Sequence, residues 1–386
     1  MSLKHRKIGV SALLTDPFIQ EARSRTIWAA NTCSACVSAG AQSFLIANAS
    51  ETPIPYQKKP EWVQKEVARF YGVDTTNILP TFNPNKYYKK GAESFIYDYL
   101  LKTSILPQLT DVHTRDPILA ARAIEAGKGV IFEDHDEDAQ VNARKRIMEL
   151  SHSEHFKAIV CITEKIRDAY YLGPVKKSKL ICMDSGVQNF ANDDSIFSSL
   201  KRDGRGRPPT IGYAGGLQPE RDIETIFQAA KLLPYYKFIL IGGRQALIDK
   251  LIEQAVQLDI YNIDFLGYLK SQDMRRILAS RCDVLLYSRA SGYSTENSSP
   301  LKLFEYFNYN KPIVSAETSV TLQYLGIKGV YSYQPSSVTS LVGSLKAAVE
   351  FGNKNSVDED AYELILSDKS WGNRQKKILE FAGILV

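Results

Sequence analysis

Cations and glycines stand where this chain could grip an anion. The segment Ser298-Ser299-Pro300-Leu301-Lys302-Leu303-Phe304-Glu305-Tyr306, closing at Lys311-Pro312-Ile313-Val314, reads as a loop, a short helix and a buried strand. Ser298 or Ser299 can cap the helix, and Pro300 suits its first turn, where a missing N–H costs nothing. Lys302 then falls in the first turn, where the helix dipole disfavours a cation. That placement makes sense if an anion binds there. Free N–H groups plus a lysine form a phosphate site, and Glu305, one turn on, can accept hydrogen bonds from a ribose. The same residues also read as an ordinary amphipathic helix with a solvated Lys–Glu pair. In either case Leu301, Phe304 and Leu303 or Phe307 are expected to face inward, with Lys302, Glu305, Tyr306 and Tyr309 on the other side.

Similar residues gather wherever an apolar run ends in the second half. Ile211–Ala214 runs into Gly215-Gly216-Leu217, with Arg221 at the following helix start. Lys237–Ile241 runs into Gly242-Gly243-Arg244, Ile263–Leu266 into Gly267-Tyr268, and Val284–Tyr287 into Ser288-Arg289. Paired glycines let backbone approach a ligand. Two arginines and a lysine at such ends, on one face, are too many cations for a neutral ligand, and a diphosphate would match them.

The elements that must position these residues alternate strand and helix nearly throughout. In the first half, strands are predicted near Ile8–Leu14, Ser43–Asn48, Val112–Thr114, Val130–Glu133, Ala158–Thr163 and Leu180–Met183. Helices fall near 23–39, 61–71, 92–106, 118–126, 139–150 and 164–172. A further strand is expected at Ile313–Ala316. This is the pattern of parallel sheets buried on both faces. At 386 residues two domains are the default. The stretch 192–209, ending in Lys201-Arg202-Asp203-Gly204-Arg205-Gly206-Arg207-Pro208-Pro209, has linker composition. The expected fold class is α/β, two doubly wound Rossmann-like domains facing a cleft, with ligands beyond the carboxyl ends of the strands.

Bulk properties exclude several classes. With 44% hydrophobic and 24% charged residues the composition is that of a soluble globular protein, and no apolar run could span a bilayer. No signal-peptide pattern follows the basic start, so a cytoplasmic location is expected. A net charge of +5 is too mild to imply nucleic acid, and fits an anionic substrate or an acidic membrane surface. Cys33-Ser34-Ala35-Cys36 has the spacing of a redox pair but lies in a predicted helix, and packing is the simpler reading. The lysines and aromatics of Asn83–Lys90 and Phe95–Leu101 suit either a solvated loop or peripheral contact with the inner face of an anionic membrane.

On these residues the second half resembles the donor-binding domain of GT-B glycosyltransferases, of the retaining family numbered four (glycosyl transferases group 1). The resemblance rests on Gly212-Tyr213-Ala214-Gly215-Gly216-Leu217 with Arg221, Ile239-Leu240-Ile241-Gly242-Gly243, Asn262-Ile263-Asp264-Phe265-Leu266-Gly267, Asp283-Val284-Leu285-Leu286, and the Ser-Pro-Leu-Lys-Leu-Phe-Glu-Tyr block. The first half matches less tightly, through Val112–Asp116, Val130–Asp136, Ile162–Glu164 and Asp184–Val187. Ser370-Trp371-Gly372-Asn373-Arg374 resembles the helix that crosses back onto the first domain.

The resemblance implies an acceptor-side domain over 1–191, a linker over 192–209, a donor domain over 210–368 and a returning helix over 369–386. It implies a hexosyltransferase that uses a UDP- or GDP-sugar and retains anomeric configuration; because the chain's own strand-end cations could neutralise the diphosphate, no metal and no cofactor are expected. The acceptor is a glycan, a lipid-linked molecule or a small molecule. His135, Arg221 and Lys302 are the expected catalytic residues. Gly215, Gly216, Arg244, Gly267, Tyr268, Ser298, Ser299, Pro300, Leu301 and Glu305 are the expected donor contacts. His135 is expected beside the donor sugar.

The sequence departs from the family at three points. Asn297 stands eight residues before Glu305, where a glutamate is frequent, with Glu296 one residue off. Gly216 occupies the position of a frequent phosphate-binding arginine, so that Arg221 or Arg244 must cover the charge. Thr15-Asp16-Pro17-Phe18 replaces a glycine-rich loop. Asp134-His135-Asp136 and Asp136-Glu137-Asp138 superficially offer Asp-x-Asp metal motifs. The alternatives are a sugar-nucleotide epimerase on the same fold and a non-catalytic nucleotide-sugar-binding protein.

Overall fold

Apolar runs bounded by Gly, Pro or charged residues become strands here because both of their faces can be covered. The computed structural model describes residues 5–12, 24–48, 59–73, 77–81, 98–135, 141–197, 206–290 and 299–385. Its first sheet contains β1 (Lys7–Ser11), β2 (Gln42–Asn48), β3 (Asn77–Thr81), β4 (Asp111–Thr114), β5 (Gly129–Asp134), β6 (Phe156–Cys161) and β7 (Leu180–Cys182), in the order β3-β2-β1-β4-β5-β6-β7. Its second contains β8 (Thr210–Ala214), β9 (Lys237–Ile241), β10 (Ile263–Gly267), β11 (Val284–Tyr287), β12 (Ile313–Ala316) and β13 (Val330–Tyr333), in the order β10-β9-β8-β11-β12-β13. Every pairing is parallel. Both sheets are therefore doubly wound, as expected. The winding reverses between β1 and β4 and between β8 and β11, and such switch points are where α/β sheets bind ligands.

Strand alternation builds a core on each face. In β9, Phe238 and Leu240 enter one apolar cluster, while Ile239 and Ile241 enter another. In β5, Val130 and Phe132 face one way and Ile131 the other. Each such side chain contributes about 1.5–3 kcal/mol by leaving water. Cys33 and Cys36 lie fully buried in the helix Ser24–Ser38, and burial raises both thiols, Cys33 to about 12. They are packing residues, held as thiols.

The chain divides into two compact units, one spanning Val187–Ser370 and the other formed by residues up to Gly186 together with those from Trp371. The helix Trp371–Phe381 belongs to the first unit. Its Ile378 and Leu379 share a cluster with Trp28, Ala29 and Cys33. A Cβ on Gly186 would lie 2.4 Å from Cδ2 of Trp371, so glycine permits this close packing. In the second unit, Phe190 N donates to Asn308 Oδ1 at 2.6 Å and Arg207 pairs with Asp283 at 2.6 Å.

Several elements differ from expectation. β3 and β13 were not anticipated. β3 contains Pro80, which breaks the usual strand signal but is tolerated because β3 is the outer strand of its sheet. In place of a regular helix end, Leu101–Ile105 forms a π-turn followed by a 3-10 turn at Leu106–Gln108. Asn83–Lys90, Phe95–Tyr97, Thr15–Phe18, Asp136–Asp138, Glu296, Asn297 and Ser298 lie outside the described residues. No described helix is long and apolar enough to cross a membrane.

Candidate functional site

The carboxyl edge of the second sheet is built from backbone packed too closely for side chains. Gly215 N donates to Ile241 O at 2.9 Å, and Gly242 N to Gly267 O at 2.7 Å. Gly242 has φ 122°, and a Cβ there would lie 1.9 Å from Gly215 O. Gly243 and Gly267 also adopt positive φ. The loops after β8, β9 and β10 are thereby brought together. Tyr213 OH donates to Gly216 O at 2.5 Å and holds the first loop down.

Two more elements approach this edge. After β8 the chain makes a 3-10 turn over Pro219–Arg221, then Asp222 takes a left-handed conformation (φ 56°) before the helix Ile223–Leu232. Asp222 Oδ1 accepts from Thr225 Oγ1 at 2.7 Å, and Oδ2 from Ser336 N at 2.8 Å. That clamp places Arg221, whose Nε is buried with no hydrogen-bond partner. Burial first, then the charge of Arg289, holds the Arg221 guanidinium below its ordinary pKa. Arg289, at the end of β11, was not among the expected site residues. Arg244 caps the helix Gln245–Gln257 and is exposed, as is Tyr268.

The helix Leu301–Phe307 is shorter and more buried than its pattern implied. Pro300 is its capping residue, and Ser299 beside it is buried. Leu301 N donates to Ser299 O at 2.9 Å. Tyr306 and Tyr309 are buried at 1% and 4% exposure, not solvated beside Lys302 and Glu305. The reason is local: Tyr306 OH accepts from Ala214 N at 2.9 Å, which anchors the helix to the end of β8. Lys302 and Glu305 remain partly exposed and form an ion pair across one turn, with Lys302 Nζ also 3.9 Å from Met274 Sδ. Lys311 is a structural residue. Its buried ammonium donates to the carbonyls of Leu278, Ala279 and Cys282, at the end of the helix Ser271–Arg281.

A cavity of about 780 Å³ opens at the opposite edge of this sheet, lined by Arg207, Asp283, Asn308, Lys311 and Asn353 among others. It lies at the amino ends of β8, β11 and β12, away from the glycine loops, and its lysine is already engaged. The glycine loops and Arg221 lie at the carboxyl edge.

His135 belongs to the first unit, just beyond β5. Its Nε2 is 2.6 Å from Glu133 Oε1. Glu133 is fully buried and also meets His113 Nε2 at 3.1 Å and Arg374 Nη2 at 2.7 Å, while Arg374 Nε donates to the Asp184 carbonyl at 2.5 Å. Trp28 packs edge-on against both histidines, with Arg115 5.8 Å above its ring. Burial alone would raise the Glu133 carboxyl, but Arg374, then His113 and His135, hold it well below the usual carboxylate range. Burial, then Arg115, lowers His135 to about 4. A neutral His135 that donates from Nε2 to this carboxylate leaves Nδ1 as an acceptor. Asp134 is already engaged, accepting from Tyr170 OH at 2.8 Å and Arg144 Nη2 at 3.0 Å.

With this geometry in place, comparison with known proteins defines the class. Residues 197–357 match the family model of glycosyl transferases group 1. No protein of curated function matches the chain by sequence. Among solved structures, Anabaena HepE in complex with UDP and glucose superposes with a TM-score of 0.71 at 13% identity, covering 98% of this chain and 100% of that one. Sucrose-phosphate synthase from Thermosynechococcus elongatus gives 0.65 at 12% identity over 97% and 98%. The catalytic domain of starch synthase IV from Arabidopsis thaliana, bound to ADP and acarbose, gives 0.63 at 12% over 99% of each. The fold is thus that of the GT-B glycosyltransferases, two Rossmann-like α/β units, and the second unit carries the match to glycosyl transferases group 1.

Proposed function

We propose that the chain is a group 1 glycosyltransferase that moves a hexose from a nucleotide diphosphate sugar to an acceptor, with retention, in the cytoplasm. The observation that carries this reading is the gathering of Arg221, Lys302 and the glycine loops at the carboxyl edge of the sheet that matches the family. Arg221 and Lys302 suit the diphosphate, Glu305 the ribose, and the backbone around Gly267 and Tyr268 the base. The UDP and ADP held by the solved relatives support a nucleotide donor, and UDP and GDP remain the first candidates. In this reading the departing diphosphate takes the acceptor proton on the face it leaves, so the protein's work is to stabilise charge and position the acceptor. His135 Nδ1, an acceptor, suits a sugar hydroxyl.

A thermal-shift screen against UDP, GDP, ADP and their sugars tests the donor. Turnover of the stabilising sugar nucleotide with an acceptor panel tests the transfer. A donor altered without acceptor would indicate an epimerase, and tight binding without turnover a binding protein. Transfer is expected to persist in excess EDTA, because protein cations can supply the charge and Asp134 already serves Arg144 and Tyr170. Activity lost in EDTA, restored by manganese and lost again in Asp134→Asn would overturn this.

A further inference from the structure

We propose that Arg289 is the second cation of the diphosphate subsite, acting with Arg221 where Gly216 supplies no side chain. The inference rests on the nucleotide-sugar reading above. β8 and β11 are neighbours in the sheet, pairing Ile211 with Val284 and Gly212 with Leu285, and the winding reverses between them. Their following loops leave at the same edge and are tied together, since Ala290 N donates to Glu220 O at 3.0 Å. Arg221 and Arg289 are the residues next to that bond.

Both guanidiniums are poised for an anion. Arg289 is only 8% exposed, and its Nε donates to Tyr287 OH at 3.1 Å, which orients the side chain and leaves its two terminal nitrogens to donate elsewhere. Arg221 Nε is buried and unpartnered. Among the described residues neither arginine forms an ion pair. The nearest acidic neighbours do not fill the role: Asp222 is taken up by Thr225 and Ser336, and Glu220 is exposed. Arg289 is buried and Arg221 partly so, and like charges carried on two loops tied at this point oppose each other where little solvent screens them. That arrangement is costly in the empty protein and is relieved by a ligand with two adjacent negative groups. Guanidinium forks match phosphate oxygens two at a time, so a diphosphate spans the pair where a single phosphate meets one member. Arg244, the other candidate to replace the missing cation, is exposed on a helix end and lacks this setting.

The test is calorimetric titration of the full chain and of Arg289→Met and Arg289→Lys with UDP, GDP and ADP and the matching monophosphates. For the nucleotide that wild type binds, Arg289→Met is expected to lose about 10- to 100-fold in diphosphate affinity and no more than about threefold in monophosphate affinity, with Arg289→Lys between. The ligand-free melting temperature of Arg289→Met should be unchanged or higher, because the substitution removes a repulsion. Diphosphate affinity within about threefold of wild type, equal losses for mono- and diphosphate, or a clear drop in free stability would each overturn the proposal. If wild type binds none of the three nucleotides, titration with inorganic pyrophosphate separates the two ideas. Binding that Arg289→Met abolishes would keep the arginine pair and discard the nucleotide reading, whereas no pyrophosphate binding would discard both.

Discussion

Lys302 and Glu305 neutralise each other in the free protein, across one turn of a seven-residue helix. Both are partly exposed, so the pair contributes less than about 1 kcal/mol to stability. In the proposed function its use would be in binding: a diphosphate arriving at Lys302 would free the Glu305 carboxylate for a ribose. Lys302→Ala is expected to cut turnover by roughly 100-fold or more, because the charge it meets grows as the donor bond breaks. Glu305→Ala should mainly weaken nucleotide binding, since a ribose contact is similar before and during reaction. Melting temperatures close to wild type, steady-state kinetics and nucleotide titration check both, and Lys302→Ala within threefold of wild type would remove that lysine from the site. At this scale the sequence was informative about placement where a residue sits next to an element end, as for Arg221, Gly215 and Gly242. It was silent where partners are distant in the chain. Glu133 and Arg374 are 241 residues apart, and neither position reveals the other. Arg289 was visible as a strand-end cation, but its pairing with Arg221 needed the sheet order.

At the scale of elements, β4, β5 and the helix Trp371–Phe381 converge on Glu133, and their ionisation sets how the first unit tolerates acid. His113 is held below its ordinary 6.5 by burial, against the pull of Glu133, and His135 is lowered to about 4 by burial and then Arg115. The unfolded chain protonates both near 6.5, while the folded chain does not. Stability is therefore expected to fall as pH drops below 6.5, through His135 down towards about 4 at up to about 1.4 kcal/mol per pH unit, and through His113 in the same direction. Glu133 acts in the same direction but lower: its depressed carboxyl stabilises the fold above about 4.5 and loses that contribution only as pH falls through its folded value. Denaturant melts at pH 7 and pH 5 should show the loss, and His113→Gln should flatten it even if the variant is less stable overall. An equal loss in both proteins would clear His113. Element types were readable from periodicity, yet β3 was hidden by Pro80, and the inward turn of Tyr306 could not be seen without its bond to Ala214. Lys311 likewise reads as a surface charge until its three carbonyl partners are known.

At the scale of the molecule, the chain leaves the first unit after Gly186, completes the second, and returns at Trp371. The two units thus differ in how they can be assembled. The second is a single continuous segment, Val187–Ser370, with six strands and apolar clusters on both faces of its sheet. The first is incomplete without its last helix. Ile378 and Leu379 cover Trp28 and Cys33, and Arg374 is the full positive charge that contacts buried Glu133. Removing the helix would expose apolar surface and strand a buried carboxylate, a loss of about 3–5 kcal/mol from the charge alone. A fragment of residues 187–370 is therefore expected to melt cooperatively by circular dichroism and to retain nucleotide binding. A fragment of residues 1–186 should lack a cooperative transition until a peptide of residues 371–386 is added, and an Arg374→Met peptide should rescue it less well. A 1–186 fragment that melts cooperatively by itself, with no response to the peptide, would show that the returning helix is an accessory to the first unit and not part of its core.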